Sequence, residues 1–180
     1  TGYRIGALIE LSDSTLRLRL DPTDPIIGYK QWTVNDNNFI SVNTRTYHLD
    51  ANLLMENNDS RLHIYTEHDS IDDGGQERIN VDIDKIQIAD WLSLSPYAPP
   101  MTGALSADMS FAMAPGTLNG TGTVTLADFT YGKKRVGTLG LDVDVTTSRS
   151  GAINAVTGLQ VDGREVMRAS GALNDTTLSD

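Results

Sequence analysis

Cysteine is absent from this chain, and histidine occurs only at His48, His63 and His68. Without cysteine there is no disulfide scaffold, no thiol nucleophile and no thiolate metal site. Positive charge is scarce: 14 Lys and Arg face 24 Asp and Glu, giving a formal net charge of -10. That balance argues against nucleic acid, whose phosphates require a basic stripe, and against direct docking on an anionic membrane surface. No apolar run is long enough to span a bilayer as a helix. No ten-residue helical periodicity occurs either, which argues against parallel units built on crossover helices. Hydrophobic residues make up 39% of the sequence, about what an open sheet with one wet face needs.

The signatures of several chemistries are missing or malformed. His63-Ile64-Tyr65-Thr66-Glu67-His68 has a zinc-protease look, but its spacing is one residue too long. On a strand, five residues turn the two rings to opposite faces, so a shared zinc would require a sharp bend. Asp82 with Asp84, and Asp142 with Asp144, could offer oxygen ligands to calcium, but the spacing of a calcium loop is absent. A solvated acidic face that keeps the sheet soluble explains them as well. There is no Gly-x-Ser-x-Gly elbow. Gly132-Lys133-Lys134 lacks both the upstream glycine and the following Ser or Thr of a phosphate loop, so Lys133-Lys134-Arg135 reads as a charged tip between strands. These absences predict a chain that is not an enzyme and binds no cofactor or metal.

What the sequence does contain is alternation. From Gly103 to Val145 apolar residues fall on every second position: Leu105, Ala107, Met109, Phe111 and Met113, then Leu139, Leu141, Val143 and Val145. Ile79, Val81 and Ile83 follow the same rule, with Asn80, Asp82 and Asp84 between them. Period two marks half-buried strands. Short turns, among them Asp162-Gly163, imply antiparallel neighbours. The pattern predicts roughly eleven to thirteen strands of about five to six residues. One short helix is expected near 88–94, with Trp91 as a plug on the sheet end, and a soft boundary at 96–100 within a single unit spanning 1–180. The chain opens on Thr1-Gly2 and closes on Ser179-Asp180, and both ends read as cuts in something longer. The apolar stripe itself admits two readings: an ordinary core sealed between layers, or an open groove for apolar ligands.

From Ile79 to Leu141 the order is alternating strand, short helix, proline connector, Gly103-Ala104-Leu105-Ser106-Ala107-Asp108, and Leu118-Asn119-Gly120-Thr121-Gly122-Thr123-Val124. An aromatic strand with Tyr131-Gly132 and then Val136-Gly137-Thr138-Leu139 follow. This order resembles the TamB family of the AsmA-like group of Gram-negative envelope proteins, over about a third of the chain. The resemblance implies a mainly β fold: a long, curved, largely antiparallel open sheet, shaped as a trough or half-barrel. It implies a periplasmic location within a longer protein anchored in the inner membrane. It further implies carriage of phospholipid acyl chains between the membranes, assembly of outer-membrane proteins with a TamA- or BamA-like barrel, and no catalytic residues. On this reading Ile79, Val81, Ile83, Leu105, Met109, Phe111, Leu126, Leu139, Leu141 and Val143 line the lipid groove. Raw sheet edges would favour an edge-to-edge homodimer. Two alternatives stand beside it: a structural or adhesive β-sandwich module, and a carbohydrate-binding module using Trp32 with Tyr29 and Tyr47.

Overall fold

The computed structural model describes residues 2–46, 48–68, 77–93, 95, 97–114 and 117–173. As the alternation predicts, the fold is mainly β: one large open antiparallel sheet with a single short helix among the described residues. The strands are β1 (Ala7–Ser12), β2 (Thr15–Leu20), β3 (Ile26–Ile27), β4 (Lys30–Gln31), β5 (Thr33–Val34), β6 (Phe39–Asn43), β7 (Leu49–Glu56) and β8 (Arg61–His68). They continue with β9 (Glu77–Gln87), the helix α1 (Ile88–Leu92), β10 (Met101–Ala114), β11 (Thr117–Tyr131), β12 (Lys134–Thr147), β13 (Ile153–Val161) and β14 (Arg164–Leu173).

The sheet runs in the order β1-β2-β6-β7-β8-β9-β10-β11-β12-β13-β14. Sequence neighbours pair because their connections are short turns. The Asp162-Gly163 hairpin has both residues at positive φ, 47 and 76, as a two-residue turn of the primed type requires. β5 and β6 share one edge of β7: β5 pairs with Met55 and Glu56, β6 with Leu49 to Asn52. β9 and β10 pair directly, so the sheet is unbroken across the 96–100 connector.

Strand lengths differ from the expectation. Fourteen strands are present among the described residues, and β10, β11 and β12 run 14, 15 and 14 residues. The glycines at 120, 122, 137 and 140 lie inside these strands and do not punctuate them. The stretch Tyr29 to Val34 does not form one continuous strand. It is split into β4 and β5 because Trp32 leaves the ladder to enter the core.

That core is asymmetric. The excursion between β2 and β6 folds over the apolar side of β7 to β9. Ile27, Trp32 and Val34 pack there on Leu53, Met55 and Ile86. The helix closes the same region: Trp91 meets Trp32 edge-on, with centroids 6.1 Å apart and planes at 82°. Tyr3 Oη donates to the Asp90 carbonyl at 2.6 Å, and Lys30 Nζ pairs with the Asp90 carboxylate at 2.8 Å. Trp91 is thus a plug on the sheet, as its sequence position suggests. No second sheet covers β10 to β14 among the described residues; β3 and β4 form a two-stranded ribbon. A two-layer sandwich is therefore not the architecture.

Candidate functional site

Antiparallel partners directly opposite one another share a face, so the registers assign the apolar side row by row. One row runs Met55, Leu62, Ile83, Ala107, Val124, Leu141, Leu159, Met167. The next runs Leu53, Ile64, Val81, Met109, Gly122, Val143, Thr157. A third carries Ile79, Phe111, Gly120 and Val145, and a fourth Ile86, Leu105, Leu126, Leu139 and Val161. Every residue expected to line the groove falls in these four adjacent rows.

The rows are not equally covered. Ile83 and Leu105 pack against the core cluster and Ile79 is buried, while Leu126, Leu139 and Val143 are half-buried. Within one row, exposure rises from 2% at Met55 to 36% at Leu141 and 55% at Met167. Coverage by the N-terminal excursion therefore stops near the middle of the sheet.

Bulk and its absence alternate across β10 and β11. Met109 and Phe111 stand opposite Gly122 and Gly120. A Cβ at Gly122 would lie 2.7 Å from Met109 Cγ, and one at Gly120 would overlap both the Phe111 ring and the Ser110 carbonyl. The glycines let the larger side chains lie flat across the neighbouring strand.

At the boundary between covered and open regions is an apolar groove of about 440 Å³, with Ile86, Trp91, Met101, Leu105, Leu126 and Phe129 in its wall. Two bulges build it. Ile83 and Ile86 oppose Ala107 and Leu105, so β9 has one residue too many there, and Lys85 takes φ 50. Leu126 and Phe129 oppose Leu139 and Gly137, with Asp128 at φ 50. Each bulge restores the next apolar residue, Ile86 or Phe129, to the greasy face. The sequence reading missed both residues, although the slip from i+2 to i+3 between apolar positions is a visible signal.

The opposite face is polar. His63, Asp82, Asp108, Thr123, Asp142 and Arg168 share one of its rows. His63 stacks on Tyr65 with centroids 4.2 Å apart, and its Nδ1 lies 3.9 Å from Asp82. Burial lowers the His63 pKa, Arg61 lowers it further, and Asp82 opposes both. Burial raises that of Tyr65. Asp142 accepts a hydrogen bond from Gln160 Nε2 at 2.7 Å. No group of three or more His, Asp or Glu placed to hold a metal occurs among the described residues. Lys133 lies in the β11–β12 turn and Lys134 and Arg135 at the start of β12, all exposed.

The sugar-binding alternative needs Trp32 as an accessible stacking surface. Trp32 is 2% exposed and engaged with Trp91, so no sugar ring can stack on it. Tyr29 is exposed, and Tyr47 lies outside the described residues. No helix among the described residues is long and apolar enough to cross a membrane. In comparison with known proteins, no family model, no curated protein and no solved structure matches this chain.

Proposed function

We propose that this chain is a non-enzymatic segment of a TamB-like envelope protein that carries phospholipid acyl chains along the apolar face of its sheet. The observation that supports this most is the run Leu126, Leu139, Leu141 and Val143, on a face that no second sheet covers among the described residues. Removing apolar surface from water supplies roughly 0.8 kcal/mol per methylene. Such binding is non-directional, so a chain can slide from row to row without breaking specific bonds. Four adjacent rows give the contact width, and the polar reverse face keeps the sheet in water. The reading carries with it a periplasmic setting, exchange between the two membranes, and cooperation with a TamA- or BamA-like outer-membrane barrel.

The outer edges of β1 and β14 have no strand partner among the described residues, and Leu8, Ile9 and Leu11 on β1 are exposed. Edge-to-edge pairing of two copies belongs to the same proposal.

The test is native mass spectrometry of the purified chain, together with a photo-crosslinking residue at position 141. Copurified phospholipid, and crosslinks to lipid at 141 but not at Asp142 on the reverse face, are expected. A lipid-free protein without position-dependent crosslinks would sink the reading.

A further inference from the structure

The strongest unassigned feature adjoins the groove. Phe129 in the groove wall is followed two residues later by Tyr131, about 7 Å further along β11. Tyr131 is paired in register with Met101 on one side and Lys134 on the other. Met101, Tyr131 and Lys134 therefore form one cross-strand row, passing from a groove residue to a 55% exposed phenol to an ammonium group. Gly132 at φ 61 turns the chain tightly, and Lys133 stands beside Lys134 at the tip.

Charge is distributed unevenly here. Arg135 is already engaged by Asp128 at 3.0 Å, which makes that pair neutral. The Asp162 carboxylate accepts the Thr138 backbone N–H at 2.8 Å. Lys133 and Lys134 have no acidic partner among the described residues. The register thus sets two ammonium groups without an acidic partner next to Tyr131, one strand beyond the groove residue Met101, in a chain of net charge -10. Screening over roughly 8 Å allows them to act independently of the distant acids.

We propose that this rim is a phosphate site: Lys133 and Lys134 hold the phosphate of an anionic phospholipid whose acyl chain occupies the groove beside Phe129 and Leu126. The occupant follows from the two chemistries. The one hydrogen-bonding group among the wall side chains is the Trp91 indole N–H, and it is buried, so a peptide would bury most of its amides without partners there, whereas a hydrocarbon chain loses nothing. The tip offers only donors and positive charge, which suits a phosphate. The phenol of Tyr131 lies between, apolar in its ring and polar at its hydroxyl, as side chains at a lipid interface commonly are. The inference rests on the trough reading and adds head-group selectivity at one rim.

The test titrates the full chain with dioctanoyl phosphatidylglycerol and with dioctanoylglycerol, following tryptophan emission because Trp91 is in the groove wall. The phospholipid should bind about tenfold more tightly. K133Q/K134Q, changed only at exposed positions, should erase that advantage while leaving dioctanoylglycerol binding and thermal stability as in the parent. Equal affinities in the parent, or an advantage that survives in K133Q/K134Q, would overturn the rim site and leave the trough intact. Displacement of the phospholipid by equimolar inorganic phosphate would show a free-anion site and defeat the lipid assignment. Failure of both lipids to bind would remove the trough reading along with this one.

Discussion

Met55 on β7 and Leu141 on β12 occupy the same cross-strand row, yet Met55 is 2% exposed and Leu141 36%. The difference lies in what packs above them. Met55 belongs to the cluster with Ile27 and Trp32, whereas Leu141 lies beyond the reach of the N-terminal excursion. Met55→Asp would bury an unpaired carboxylate and should cost about 3–5 kcal/mol. Leu141→Asp leaves its charge in water and should cost about 1 kcal/mol or less. Urea denaturation of both variants measures the contrast. Equal losses would mean that the face is sealed in solution, and the trough proposal would lose its footing.

Gly120 and Gly122 provide a sharper test of the packing on that face. Gly→Ala in a strand ordinarily gains about 0.5–1 kcal/mol from the restricted unfolded chain. At Gly122 the new methyl meets the flexible Met109 side chain, which can move aside, so the net change in G122A should stay within about 1 kcal/mol. At Gly120 the methyl meets the Ser110 carbonyl as well as the Phe111 ring, and backbone cannot swing away. G120A should therefore lose about 1–3 kcal/mol. A thermal melt of each variant reads the difference, and equal behaviour would contradict the close approach at Gly120.

Lys85 marks the bulge that returns Ile86 to the apolar side, and it does so at φ 50, a conformation that strains a side chain with a Cβ. Its Nζ contact with Asp84 at 3.7 Å is between exposed groups and contributes little. Lys85→Gly should therefore stabilise the fold by about 0.5–1 kcal/mol, the relief of strain exceeding the extra chain entropy. A lower urea midpoint for this variant would show that the bulge is not strained.

The alternation was enough to read the sheet, its antiparallel order and which residues of β9 to β12 share a face, because register follows period two. A glycine's local tendency is to weaken a strand, and only the opposing Phe111 and Met109 reveal why Gly120 and Gly122 sit inside one. Ile86 and Phe129 escaped the groove assignment because each follows a bulge, where parity inverts. The slips from Ile83 to Ile86 and from Leu126 to Phe129 are written in the sequence as breaks from i+2 to i+3. Trp32 and Ile27 could not be placed on the sheet from sequence. Their burial depends on a long excursion folding back onto Met55 and Trp91, and no local pattern encodes that contact.

His63 makes the pH dependence of stability calculable in sign. Its pKa lies below the ordinary value of 6.5, first through burial and second through Arg61, with Asp82 acting the other way. A base with a depressed folded pKa binds fewer protons in the folded chain than in the unfolded one. Stability therefore rises with pH through the window between the folded value and 6.5, and falls as the pH drops through it. Asp21, whose pKa is lowered chiefly by the Thr23 backbone N–H, acts below about its ordinary 3.8, more acid than the interval from about pH 8 to about pH 5. His63→Gln keeps a polar group beside Tyr65 but cannot titrate. Urea midpoints followed from about pH 8 to about pH 5 should decline less in His63→Gln than in the parent, and the two curves should converge again in slope below the folded His63 value. A parent curve that is flat across this interval, or one that His63→Gln leaves unchanged, would show that the imidazole is as well solvated in the folded chain as in the unfolded one.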